Sequence, residues 1–244
     1  MSLSLKKKIL IIAATHGDEP IGVAIAERLK SSLGTDKERV DFLIANPRAY
    51  AIQKRFIDTD LNRVYPGREG SAKYEERRAA IIYKLAGRYR YLIDIHQLAY
   101  GRENLIIVPK DKIGDEELIK RVGIKKVILW PSTSGRATGP LAQFFTNCLE
   151  LEIATAGKSY QRVVDDSAIM LRDFIKNIDQ PFSKSSRQTR YLVYDRLLVE
   201  AWPRQRRLQD FKRTGVKRET FYPLLVNQYL ARGIACYKMK KIGP

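Results

Sequence analysis

Apolar residues in the first 180 positions follow two alternating spacings. Short unbroken runs, such as Ile9-Leu10-Ile11-Ile12-Ala13-Ala14 and Leu105-Ile106-Ile107-Val108, predict strands buried on both faces. Between them, apolar residues recur at helical intervals: Ile21, Ala24, Ile25, Leu29 and Leu33, and later Val164, Leu171, Phe174 and Ile175. The pattern predicts strands near 8–14, 40–45, 91–95, 105–108, 126–130 and 148–154. Helices are expected near 21–33, 71–89, 115–122, 141–145 and 163–178. Such alternation argues for an α/β architecture with a largely parallel sheet flanked by helices. One stretch, 48–70, has no clear period. A loop of that length inside a compact domain is usually functional.

Past Asp179-Gln180-Pro181 the texture changes. Residues 183–189 are polar, and 191–201 and 221–238 are β-prone segments separated by basic turns. The expected division is therefore an α/β catalytic domain over 1–182 and a small, mostly β C-terminal subdomain over 183–244. Composition is globular, with 44% hydrophobic and 30% charged residues. No apolar run approaches the roughly 20 residues of a membrane helix. Lys6, Lys7 and Lys8 precede an apolar run too short for a signal peptide. Cys148 and Cys236 make no disulfide framework. The expectation is a soluble, cytoplasmic protein with no membrane association.

Charge sharpens the division. The net charge is +18, and residues 183–244 hold fifteen Lys and Arg against four Asp and Glu, so +11 of it lies there. A basic region of this kind can hold nucleic acid or an acidic partner, but no RNA-binding motif accompanies it. A solvated basic face, or a field drawing in a small anionic substrate, explains it more simply. Homo-oligomerisation stays open.

The chain has only two histidines, and each falls just past an expected buried strand: His16 in "THGDEP" and His96 in "YLIDIHQ". Ligands collect at that edge of open parallel sheets. Glu19, three residues after His16, lets an imidazole and a carboxylate converge on one ion. With His96 they form a two-His, one-carboxylate set of the composition a catalytic zinc site uses. Structural histidines are the competing reading for either residue alone. Asp94, two before His96, either orients that imidazole or caps the strand end.

Together, "THGDEP", "ANPRAYAIQKRFIDTDLNR", "DIH" and "LELEIA" stand in order over about residues 8–178. In this the chain resembles the succinylglutamate desuccinylase/aspartoacylase family, relatives of the zinc carboxypeptidases. The resemblance implies a zinc-carboxypeptidase-like fold, often with a β-rich C-terminal appendage, and one Zn²⁺ per chain on His16, Glu19 and His96. It implies that Arg55 polarises the scissile carbonyl and that Asn62 and Arg63 hold a substrate carboxylate. Asp58 and Asp60 would brace the loop. Arg136, in "TSGRATGP", would be a second carboxylate-binding arginine. Glu152 would be the general base, with Glu150 the fallback, since both lie on one strand face. Ala154 departs from the family's usual glycine. The implied activity is zinc-dependent hydrolysis of the amide bond of an N-acyl amino acid. A zinc carboxypeptidase acting on a peptide or cell-wall fragment is the alternative within hydrolases, and a basic nucleic-acid-binding protein the alternative outside them.

Overall fold

The computed structural model describes residues 9–112, 116–131, 137–181, 187–202, 207–216 and 219–242. Ten strands are present among them: β1 Ile9–Ala13, β2 Val40–Ile44, β3 Tyr91–Leu98, β4 Leu105–Pro109, β5 Lys126–Trp130, β6 Cys148–Ala154, β7 Thr189–Leu198, β8 Thr214–Val216, β9 Glu219–Leu224 and β10 Ile234–Ile242. The α-helices are α1 Ile21–Lys30, α2 Pro47–Ala51, α3 Tyr74–Ala86, α4 Glu116–Arg121 and α5 Tyr160–Asn177. The strands join in one mixed sheet of order β2-β1-β3-β6-β4-β5-β7-β10-β9-β8. Pairing is parallel from β2 through β1 and β3 to β6, and again from β4 through β5 to β7. It is antiparallel at β6–β4 and throughout β7–β10–β9–β8.

The expected α/β architecture and the β-rich C-terminal part are both present. That part continues the same sheet through the parallel β5–β7 pairing, Lys126 to Thr189 and onward. The expected boundary at 182/183 falls outside the described residues. The unperiodic stretch 48–70 contains the short helix α2 and a single 3-10 turn, Leu61–Arg63, and is otherwise irregular.

Because strand side chains alternate, the sheet has two faces of different character. One carries Ile9, Ile11, Ile93, Ile95, Leu151, Ile106 and Val127, packed under α1 and α5 as a continuous apolar layer. Leu171, Phe174 and Ile175 of α5 close it, each worth about 1.5–3 kcal/mol when fully buried. The other face carries two separate apolar clusters. Leu10, Ile12 and Leu92 pack with Leu61, Tyr65 and Ile82 of the loop and α3. Leu98, Leu105 and Ile128 pack with Tyr191, Val193, Leu224 and Met239 of the C-terminal strands. Between them, on β3 and β6, the same alternation yields Asp94, His96, Glu150 and Glu152, with Asp94 beside Glu150 and His96 beside Glu152. Four polar side chains thus fill a seam between two cores.

Candidate metal centre and active-site pocket

The turn after β1 delivers the first candidate ligands. Ala14 takes a left-handed backbone, φ 51°, which is costly without glycine and recurs at functional sites. Gly17 follows where no side chain fits: a Cβ there would sit 2.2 Å from the Ala49 carbonyl carbon and 2.4 Å from the Lys54 oxygen. His16, Glu19 and His96 are all buried, and their donor atoms lie within 4.8 Å of one another.

Their orientation is nearly symmetric. His16 Nδ1 is 2.8 Å from Glu19 Oε1, and His96 Nδ1 is 3.1 Å from Glu19 Oε2. Each ring turns its other nitrogen toward an aspartate. His16 Nε2 is 3.0 Å from Asp60 Oδ1. His96 Nε2 is 3.2 Å from Asp94 Oδ2, off the line of a good hydrogen bond, so that nitrogen is buried without a hydrogen-bond partner. Thr15 Oγ1 donates to Asp94 Oδ1 at 2.9 Å, and Gln97 N donates to Glu19 Oε2 at 3.1 Å. Burial alone would lower both histidine pKa values, but Glu19 and Asp60 around His16, and Asp94 and Glu19 around His96, hold them above the ordinary range. Glu19 is likewise held well below the usual carboxylate range by the two imidazoles, against the pull of burial. Two imidazoles and a carboxylate gripping one another are the donor set that a divalent cation takes, so the residues fit a metal.

The irregular loop presents the cations. Arg55 Nη1 donates to Glu19 Oε1 at 3.2 Å, and its Nη2 is 2.9 Å from His16 Nε2. Asp60 accepts from Asn62 N at 3.0 Å and holds Arg55 through contacts of 3.4 Å. Burial opposes ionisation of Asp60, yet His16, Arg55 and Arg63 keep its carboxyl far below the usual range. Asp60 therefore orients His16 as well as bracing the loop, while Asp58 Oδ2 accepts from Tyr74 N at the start of α3. Glu75, near the start of α3, supports this loop without any local motif to mark it. Its fully buried carboxylate accepts from the backbone of Ile57, Asp58 and Thr59 and from Asn46 Nδ2, fixing the arginine loop from beneath. In the sequence it resembles any acidic residue in a helix's first turn.

A pocket of about 350 Å³ opens from this cluster, and His16, Glu19, Arg55, Asn62, Arg63 and Glu152 all line it. Glu150 lines it too. Burial, reinforced by Glu19 and Glu150 and partly opposed by His96, pushes the Glu152 carboxyl up to about 7. Burial also raises Glu150, whose Oε1 accepts from Asn62 Nδ2 at 3.4 Å. Arg136 lies outside the described residues. No local motif marks the far wall, where Leu225, Gln228 and Tyr229 of the turn after β9 meet Tyr237 of β10. Burial, with Glu152 nearby, pushes the Tyr229 phenol up to about 12, so it stays a hydroxyl donor. Leu225 and Asn227 hold φ of 56° and 67° in a turn that no glycine marks.

Fold and site together define a class: a layered α/β protein with a His–Glu–His cluster where its central strands end, beside a carboxylate- and arginine-lined pocket. Within that class, the chain belongs to the succinylglutamate desuccinylase/aspartoacylase family, whose catalytic-domain model matches residues 6–178. It is 31% identical over 101 residues to a probable aspartoacylase of Trichodesmium erythraeum, covering 36% of this chain and 34% of that protein. It is 34% identical over 105 residues to a succinylglutamate desuccinylase of Pseudomonas putida, covering 38% and 31%. The chain thus aligns with about a third of the length of these curated relatives. Solved structures resemble it over nearly its whole length. A succinylglutamate desuccinylase from Chromobacterium violaceum gives a TM-score of 0.73 at 17% identity, covering 98% of this chain and 86% of that one. Murine aminoacylase 3 gives 0.73 at 19% identity, covering 99% and 97%.

Proposed function

We propose that the chain is a zinc-dependent hydrolase that cleaves the amide bond of an N-acyl amino acid. The observation that carries this reading is the convergence of His16, Glu19 and His96, with Arg55 on one side and Glu152 beside His96 on the other. The relatives' names, aspartoacylase, succinylglutamate desuccinylase and aminoacylase, point the same way.

His16 and His96 would hold the ion through Nδ1 and Glu19 through its carboxylate. Asp60, hydrogen-bonded to His16 Nε2, and the Asp94 carboxylate, 3.2 Å from His96 Nε2, favour a proton on those ring nitrogens, which leaves each Nδ1 lone pair free. Zn²⁺ bound there would polarise the scissile carbonyl and acidify a water. The other steps belong to the chain's own groups. Arg63, with Asn62, takes the substrate carboxylate, a task suited to a planar guanidinium. Arg55 faces the carbonyl oxygen as negative charge builds on it. Glu152 takes the proton of the attacking water at its carboxylate and returns it to the departing amine nitrogen. Its raised pKa suits both halves of that transfer near neutral pH. The products are a carboxylic acid and a free amino acid.

The test combines metal analysis of the purified protein with assay of amine release from N-acyl amino acids, before and after chelation. One zinc per chain and chelator-sensitive release are expected. A metal-free protein that does not bind added zinc would end this reading.

A further inference from the structure

The active-site pocket continues well beyond the groups that the chemistry uses. Beside Glu150 in the sheet lies Ile107 of β4; Pro109 follows two residues along the same face, and Trp130 of β5 pairs with Pro109. All of these line the pocket. Strands β6 and β5 are two spacings apart, about 10 Å at roughly 4.8 Å per strand, and the registers set Trp130 level with Cys148, about 13 Å along β6 from Glu152 at roughly 3.3 Å per residue. Tyr237 stands edge-on to Trp130 with ring centres 4.7 Å apart, and Tyr229 stands edge-on to Tyr237 at 6.0 Å. Leu98 and Leu225 complete an apolar lining.

We infer that this second compartment receives an aromatic ring of the substrate, with Trp130 and Tyr237 as its specificity-determining residues. The inference rests on the deacylase reading above and adds the substrate class. Three observations support it. The rings meet edge to face, so ring faces and edges are on hand for a further ring to pack against in the same preferred geometry. The reach from the Glu152 backbone to that of Trp130, about 16 Å on those spacings, leaves room for a bulky side chain between them rather than a methyl group. Finally, a substrate entering the compartment passes two carboxyl groups, Glu150 and Glu152. A second substrate carboxylate directed that way would be buried among Ile107, Pro109, Trp130 and Tyr237, which offer it no cation, whereas a neutral ring needs none. The ring could belong to the amino acid or to the acyl group, and both present the same chemistry to Trp130.

Four substrates separate the outcomes with zinc-loaded wild-type protein: N-acetyl-phenylalanine, N-benzoyl-glycine, N-acetyl-alanine and N-acetyl-aspartate. At least one ring-bearing substrate should exceed N-acetyl-aspartate in kcat/KM by about tenfold. Which one does so tells whether the side chain or the acyl group occupies the compartment. Trp130→Ala should cut the ratio of that substrate to N-acetyl-alanine by about tenfold, and Trp130→Phe should preserve it. A wild-type preference for N-acetyl-aspartate, or an unchanged ratio in Trp130→Ala, overturns the inference. If none of the four is cut, the deacylase reading itself fails. Calorimetric titration of Glu152→Gln with the two ring-bearing compounds then decides the compartment separately. Binding that weakens about tenfold when Trp130→Ala is added supports it. Absent or unaffected binding removes it.

Discussion

The two ends of the pocket differ in how they are built. At the β1–β3–β6 end, every candidate group sits in a short motif and is held by charge: Glu19 between two imidazoles, each imidazole between Glu19 and an aspartate, Arg55 across both. At the β4–β5–β10 end, the wall joins side chains of β4 and β5 to others from a distant part of the chain, in and just before β10, held by apolar packing and aromatic edges. The first end is electrostatically specified and leaves little freedom of residue type. The second asks for shape and apolarity, which many residues can supply. Chemistry at one end and fit at the other should therefore respond differently to substitution.

Glu152→Gln should have the largest effect. Amine release should fall by about 10²–10⁴, with zinc content unchanged. If Glu152 is the base proposed above, the same carboxyl should set the acid limb of activity. It must be unprotonated to take a proton, so kcat/KM falls as pH drops through its folded value. Burial raises that value to about 7, and a bound dication pulls it back toward acid. The limb in a pH–rate profile should thus lie at or somewhat below neutrality and disappear in Glu152→Gln. A profile flat from pH 5 to 8 would deny Glu152 that role.

Next comes Met239→Ala, at the centre of the cluster shared by the two halves of the chain. Met239 is fully buried, and the truncation should cost about 2–5 kcal/mol. Because the sheet is continuous, denaturation should show one transition shifted as a whole. Two transitions, only one of them shifted, would mean that the C-terminal strands fold separately. Asp94→Asn should act more gently, weakening zinc about 10–100-fold in competition with a chelator while the fold persists. Smallest of all is Asp165→Asn, which removes an exposed pair with Arg28 on α1. Its melting midpoint should match wild type within error.

The same contrast explains what could be read from the sequence. Central strands were legible because burial on both faces leaves continuous apolar runs, and the span of β6, Cys148–Ala154, was predicted residue for residue. The candidate ligands and the arginine loop were legible because their spacing is local and chemically unusual. Glu75 was not, because its role depends on a loop folding back over α3. Nor were Trp130, Tyr229 and Tyr237. Their meeting requires β6 to insert between β3 and β4, and β7 to dock on β5, an order that no linear pattern carries. Arg136, assigned from "TSGRATGP", lies outside the described residues.

The polar seam between two apolar clusters on one sheet face has a consequence for change over time. Each cluster can be repacked without crossing the seam, so substitutions accepted in β5 or β10 alter the shape of the pocket while the polar groups on β3 and β6 stay as they are. A chain built this way can change its diet without relearning how to bite.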